Sequence, residues 1–101
     1  MYIGSVDIEG SIAWMLQTRV AQAPTTADAA PAYRIYGPDP TATMTSGTGT
    51  MTGIVDTQTG LYKATHACPA ANGYASGKTY FIRMTYTASG SKVETYSFMV
   101  T

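Results

Sequence analysis

Apolar and polar residues alternate with a period of two along most of this chain, and that spacing restricts the fold more than any other feature. In SIAWMLQTR, Ile12, Trp14, Leu16 and Thr18 share one side, with Ala13, Met15, Gln17 and Arg19 on the other. TYFIRMTYT repeats the pattern, with Tyr80, Ile82, Met84 and Tyr86 against Phe81, Arg83, Thr85 and Thr87. AYRIY sets Tyr33 and Ile35 against Ala32, Arg34 and Tyr36, and VETYSFMV sets Tyr96, Phe98 and Val100 against Thr95, Ser97 and Met99. Successive side chains of a strand point to opposite faces, so each run predicts a strand with one buried side. The β-branched and aromatic content suits such a half-buried pleated surface. No amphipathic helix of useful length is present.

Turn signals fall between the runs. APTTADAAP is a loop bounded by Pro24 and Pro31, and GPDP, residues 37–40, is a turn that cannot continue a central strand. In DTQTG, Asp56 starts a turn and Gly60 supplies a positive φ, while ASGSK joins two strong runs as a hairpin. The low-complexity stretch TATMTSGTGTMTGIVD still alternates, Thr48, Thr50 and Thr52 against Met51 and its flanking glycines. It predicts two thin strands joined by a Gly-rich turn. PAANGYASGK departs from the pattern and predicts one short helical turn near residues 69–73, with Pro69 at the first helical position and Asn72-Gly73 as the stop. Tyr74 would plug the core beneath it.

About seven or eight short strands, with turn signals at roughly 8–12-residue intervals, predict an all-β fold: an antiparallel β-sandwich of immunoglobulin-like architecture. One buried face per strand asks for two packed sheets. The Cys…Trp…Cys spacing of antibody domains is missing, so the likeness is one of architecture. At 101 residues a single domain over 1–101 is expected, with residues 1–10 as an N-terminal arm or an edge strand.

Charge narrows the partners. Charged residues are 12% of the chain, against about 25% in an average domain, and they sum to zero. The six basic residues (Arg19, Arg34, Lys63, Lys78, Arg83 and Lys92) are scattered singly, whereas polyanion binding wants them clustered; no nucleic-acid partner is expected. Near-zero net charge favours self-contact, which points to a homo-oligomer or a protein packed against others. No run approaches the ~20 apolar residues of a membrane span. MYIGSVDIEG lacks the basic and apolar regions of a signal peptide, and the lone cysteine excludes an intramolecular disulfide. Folding in a reducing cytoplasm is the expectation.

The only histidine and the only cysteine, His66 and Cys68, stand two apart in LYKATHAC. They share a face with Tyr62 and Ala64, opposite Lys63, which places them toward the core. A Cys–His nucleophile needs the imidazole within hydrogen-bond reach of sulfur and a third orienting group; residues i and i+2 on a strand lie about 6.5–7 Å apart. A zinc site needs three or four ligands, and no further ligand is marked by spacing. The pair therefore reads as core. The six acids, Asp7, Glu9, Asp28, Asp39, Asp56 and Glu94, fall mostly in loops or at strand ends, where solvated turn residues are the default over a glycosidase pair. GYASGK lacks the order of a phosphate loop, because Gly73 to Lys78 is one residue short. No catalytic residue, metal or cofactor is assigned. Tyr33, Tyr36, Tyr74, Tyr80, Tyr86 and Trp14 could line a sugar-binding face, but most occupy inward positions. Outward apolar residues mark a candidate protein interface: Met15, Tyr36, Phe81 and Met99.

From about residue 11 onward the chain resembles small immunoglobulin-like β-sandwich proteins of tailed bacteriophage virions. The resemblance rests on a first strand ending near TR, the APTTAD…P loop, the YRIYG strand, then TGLYKA, AANGYASGKTY and a closing FMV strand. It implies a non-enzymatic virion protein made in the host bacterial cytoplasm, most naturally a head decoration (cement) protein bound to the major capsid protein. A neck or tail accessory is the nearest variant, and a glycan-binding adhesion module the alternative from a different class. The family pattern has aliphatic residues where this chain has His66 and Cys68, and it carries no site residue across.

Overall fold

The structure, a computed structural model, describes residues 1–39 and 41–101. Each alternating run becomes a strand. In chain order these are β1 (Tyr2–Val6), β2 (Ser11–Gln17), β3 (Arg19–Val20), β4 (Ala23–Pro24), β5 (Ala32–Tyr36), β6 (Thr43–Thr50), β7 (Thr52–Gly53), β8 (Leu61–Ala67), β9 (Thr79–Thr87) and β10 (Ser91–Val100). A five-stranded sheet has the order β1-β10-β9-β5-β6 and a three-stranded sheet the order β2-β8-β7, with β3 and β4 forming a small hairpin beside them. Pairing is antiparallel except that β1 runs parallel to β10 at the sheet edge. In the lettering of immunoglobulin domains the sheets are A′GFCC′ and BED, so the immunoglobulin-like sandwich is realised in strand order as well as in class.

The inward positions of the two sheets meet as the alternation requires. Ile12, Trp14, Leu16, Tyr62 and Ala64 come from the three-stranded sheet, and Ile35, Tyr80, Ile82, Met84, Tyr86, Phe98 and Val100 from the five-stranded one. Each fully buried side chain of this size contributes about 1.5–3 kcal/mol. An aromatic chain threads the core: Trp14 meets Tyr33 edge-on at 5.0 Å, Tyr74 lies 4.9 Å from Tyr80, and Tyr80 stacks on Phe98 at 5.8 Å.

The expected helical turn is a 3-10 turn over Ala70–Asn72, with Pro69 just before it in an extended conformation and Gly73 ending it in the left-handed region. Pro69 is thus the cap residue, one place short of the expected first helical position. The Glu9 carboxylate accepts the Ala70 N–H at 3.0 Å, tying the β1–β2 turn to this one. Tyr74 behind it is buried, as expected. The Tyr80 hydroxyl, near the start of β9, accepts the Ala75 N–H at 2.8 Å and donates to the Gly73 carbonyl at 3.5 Å. That is the tyrosine corner of immunoglobulin-type sandwiches, which locks the connection into the strand.

The low-complexity stretch differs from its expectation. β6 runs unbroken through the glycines, and Gly47 falls in a bulge where a turn was expected: Thr48 to Thr43 on β6 spans what Arg34 to Tyr36 spans on β5. Gly49 stands opposite Tyr33, whose ring lies across it; a Cβ there would come within 2.6 Å of the ring. The change of sheet comes at Met51, which is buried and donates its N–H to the Pro31 carbonyl at 2.8 Å. The segment beginning Gly37-Pro38-Asp39 turns β5 into β6, with Gly37 N–H bonded to the Ala42 carbonyl at 3.0 Å; Pro40, the last residue of the expected turn, lies outside the described residues. Among those residues no helix is long and apolar enough to cross a membrane.

Candidate docking face

The histidine–cysteine pair sits at the end of β8, where alternation aims it inward. Cys68 is fully enclosed, its N–H donating to the Gly10 carbonyl at 2.9 Å and its carbonyl accepting the Glu9 N–H at 3.0 Å. Its sulfur lies 3.8 Å from the His66 carbonyl rather than against the imidazole. The His66 ring is half-buried between Tyr33 and Tyr74, with Nδ1 3.4 Å from the Tyr33 hydroxyl and Nε2 without a partner. Burial pulls the imidazole pKa below 6.5 and pushes the thiol above its ordinary value of 9.0. Both shifts favour the neutral forms, the reverse of an activated thiolate–imidazolium couple. No group of three or more His, Cys, Asp or Glu side chains gathers around a common point among the described residues. Here the chemistry is packing.

The outer face of the five-stranded sheet has a different character. Register lays its outward residues in rows across the strands. One row runs Tyr2–Ser97–Phe81–Tyr36–Thr43, the next Thr95–Arg83–Arg34–Thr48, and the next Val93–Thr85–Ala32–Thr50. Met99 opens a further row beside Thr79 and Ser5. No lysine and no acid occurs in these rows. The aromatic residues, methionine and arginines of this face are types enriched at the centre of protein interfaces, and lysine and carboxylates are depleted there; here the enriched types are set among threonines and serines. Tyr2 is 58% and Val93 50% exposed, while Phe81, Tyr36 and Met99 are half-buried by their neighbours.

Of the four candidate interface residues, three share this face. Tyr36 and Phe81 are direct cross-strand partners, and Met99 lies on the neighbouring strand. Met15 is separate: it is 55% exposed on the outer side of β2, opposite Lys63 on the other sheet. The four do not form one patch.

Sequence reasoning missed the most polar feature of the face. Arg34 and Arg83 are directly opposed on β5 and β9, both exposed, an arrangement in which like charges destabilise the sheet. Among the described residues Arg19 alone of the arginines bonds within the chain, to Gln17 Oε1 at 2.6 Å and the Gln22 carbonyl at 3.1 Å. Arg34 and Arg83 have no such partner. Two open recesses meet at Arg83, one walled by Arg34, Tyr36 and Thr48, the other by Asp28, Thr87, Ser91, Lys92 and Val93. Alternation had put both arginines outward, but their adjacency depends on the register of β5 against β9, which no local spacing encodes.

The chain is thus an immunoglobulin-type β-sandwich with an inward-facing histidine–thiol pair whose burial favours the neutral forms and one aromatic–arginine face whose strand rows carry no acid. Comparison with protein-family models, curated proteins and solved structures returns no match.

Proposed function

We propose that this chain is a non-enzymatic structural protein of a tailed-phage virion, a decoration protein that docks on the head exterior through the outer face of its five-stranded sheet. The observation that carries the docking is the set of Tyr2, Phe81, Tyr36 and Met99 on that face with two arginines that have no partner among the described residues, and neither lysine nor carboxylate in the rows. The phage origin is supported by the sequence resemblance described above. A weak contact suffices in a symmetric shell, because many linked copies multiply it. A thiol and an imidazole whose burial favours their neutral forms, with no hydrogen bond between them among the described residues, support a role in which neither reacts.

Imaging of purified particles by electron cryo-microscopy tests the role. Density for the sandwich repeated over the capsid lattice is the expected result, and absence from the lattice overturns head decoration. Density confined to the unique vertex or the tail would move the protein to the neck or tail. The glycan-binding alternative has less support, since Tyr62, Tyr74, Tyr80 and Tyr86 are all buried. A glycan panel that returns saturable binding through Tyr2 and Tyr36 would restore it.

A further inference from the structure

We propose that the partner of this face is a protein surface presenting paired carboxylates, which Arg34 and Arg83 receive side by side. The inference rests on the docking reading above and adds the chemistry of what docks. Two arginines at directly paired positions of neighbouring strands cost the free sheet stability, and among the described residues neither is ion-paired to a carboxylate, although Asp28 lines the same recess as Arg83. A planar fork accepts a carboxylate through two parallel N–H bonds, so a partner with two acids removes the repulsion and adds directional bonds in one step.

Other occupants fit less well. A second copy applied symmetrically would bring the same patch against itself and crowd four guanidiniums together. A nucleic acid would need a longer basic track, whereas the other four basic residues, Arg19, Lys63, Lys78 and Lys92, are not in these rows. Free phosphate would accept the same forks but gains nothing from the apolar residues beside them, and it is one arm of the test below. The flanking Phe81, Tyr36 and Tyr2 give a protein partner apolar area beside the charges. Five strands at about 4.8 Å spacing, with residues about 3.3 Å apart, make a face of roughly 500–700 Å². That approaches the ~800 Å² per partner of a standard interface.

Isotope-labelled protein titrated with three probes tests the chemistry: the blocked peptide Glu-Thr-Glu, its Gln-Thr-Gln counterpart, and inorganic phosphate. The expected result is movement of the Arg34 and Arg83 guanidinium signals and the β5 and β9 amides with the Glu peptide alone. That response should vanish in the double variant Arg34→Gln/Arg83→Gln, which keeps its fold because both side chains are exposed. An equal response to the Gln peptide, a response to phosphate alone, or no response to any probe overturns the proposal. Binding to shells of the encoding phage separates the two claims. Binding that weakens about tenfold or more in Arg34→Glu/Arg83→Glu supports the carboxylate partner. Equal binding by both proteins overturns it and leaves head decoration standing. Failure of the wild type to bind shells, with the peptide response intact, removes the head location and leaves carboxylate recognition.

Discussion

His66 competes for its proton with the same residue in the unfolded chain. Burial lowers its folded pKa below 6.5, so between the two values the unfolded state holds the extra proton, and stability rises with pH there. The fold should therefore keep its full stability above about pH 6.5 and lose part of it as pH falls until the buried ring itself is protonated. Melting temperatures across pH 5–8 measure this, and in His66→Leu the step should disappear. The two buried tyrosine hydroxyls should also part ways. Tyr80→Phe removes the corner bonds to Ala75 and Gly73 and should cost about 1 kcal/mol, a melting shift of about 4–8 °C at this size. Tyr74→Phe removes a hydroxyl that is buried without a partner, and its melting temperature should hold or rise. Cys68, enclosed and with its thiol held neutral, should resist a thiol reagent in the native state and react only as fast as the protein opens. At this scale the inwardness of His66 and Cys68 was legible, because parity along a strand needs only neighbours, and that of Tyr74 from the short helical turn expected just before it. The hydroxyl partner of Tyr80 was not, because it lies across a connection whose path the spacing does not describe.

At the scale of elements, the connections set more than the strands do. Gly60 packs under the β2–β3 join, where its carbonyl accepts the Thr18 N–H at 2.8 Å and the Thr18 hydroxyl donates to the Thr25 carbonyl. With φ +73, a Cβ at Gly60 would meet the Thr25 and Thr18 carbonyl oxygens at 2.6 and 2.8 Å, whereas at Gly77, φ +83, it would meet nothing within 4 Å. Gly77→Ala should then cost only the left-handed backbone penalty of about 1–2 kcal/mol. Gly60→Ala should cost distinctly more, read as the larger drop in urea midpoint. The positive φ of Gly60 was expected from its turn; the backbone carbonyls closing over it from another loop were not. The glycines of β6 were misread for a related reason. In isolation a Gly-rich stretch looks like a turn, but opposite Tyr33 a missing side chain is what lets a ring lie across the strand.

For the whole molecule, the accessible surface of 5497 Å² is close to the roughly 5,500 Å² of a folded monomer of this mass, so the sandwich needs no partner to close its core. Its edges are another matter. β1 covers β10, with Ile3 and Val6 packed on the core and the Val6 carbonyl accepting the Thr101 N–H at 2.8 Å. Removing residues 1–6 should bare the β10 edge, lower the melting temperature and raise self-association in size-exclusion chromatography, because an open edge pairs with other chains. Native protein at the same concentration is the control, and an unchanged elution profile would show that β1 does not serve as that cover.

The order of polar and apolar residues by itself determined that this chain makes strands, which side of each strand is buried, and that two layers must meet around tyrosines and a tryptophan. Those are consequences of side-chain parity, a property of adjacent residues. Only the tertiary structure decided which strands are neighbours and in what register, and with that the pairing of Arg34 with Arg83, the alignment of Phe81 with Tyr36, and the isolation of Met15 on the opposite sheet. Register is settled by contacts between residues distant in the chain, so the face that gives this protein its proposed partner could be read as single outward residues in the sequence but as a surface only in the fold.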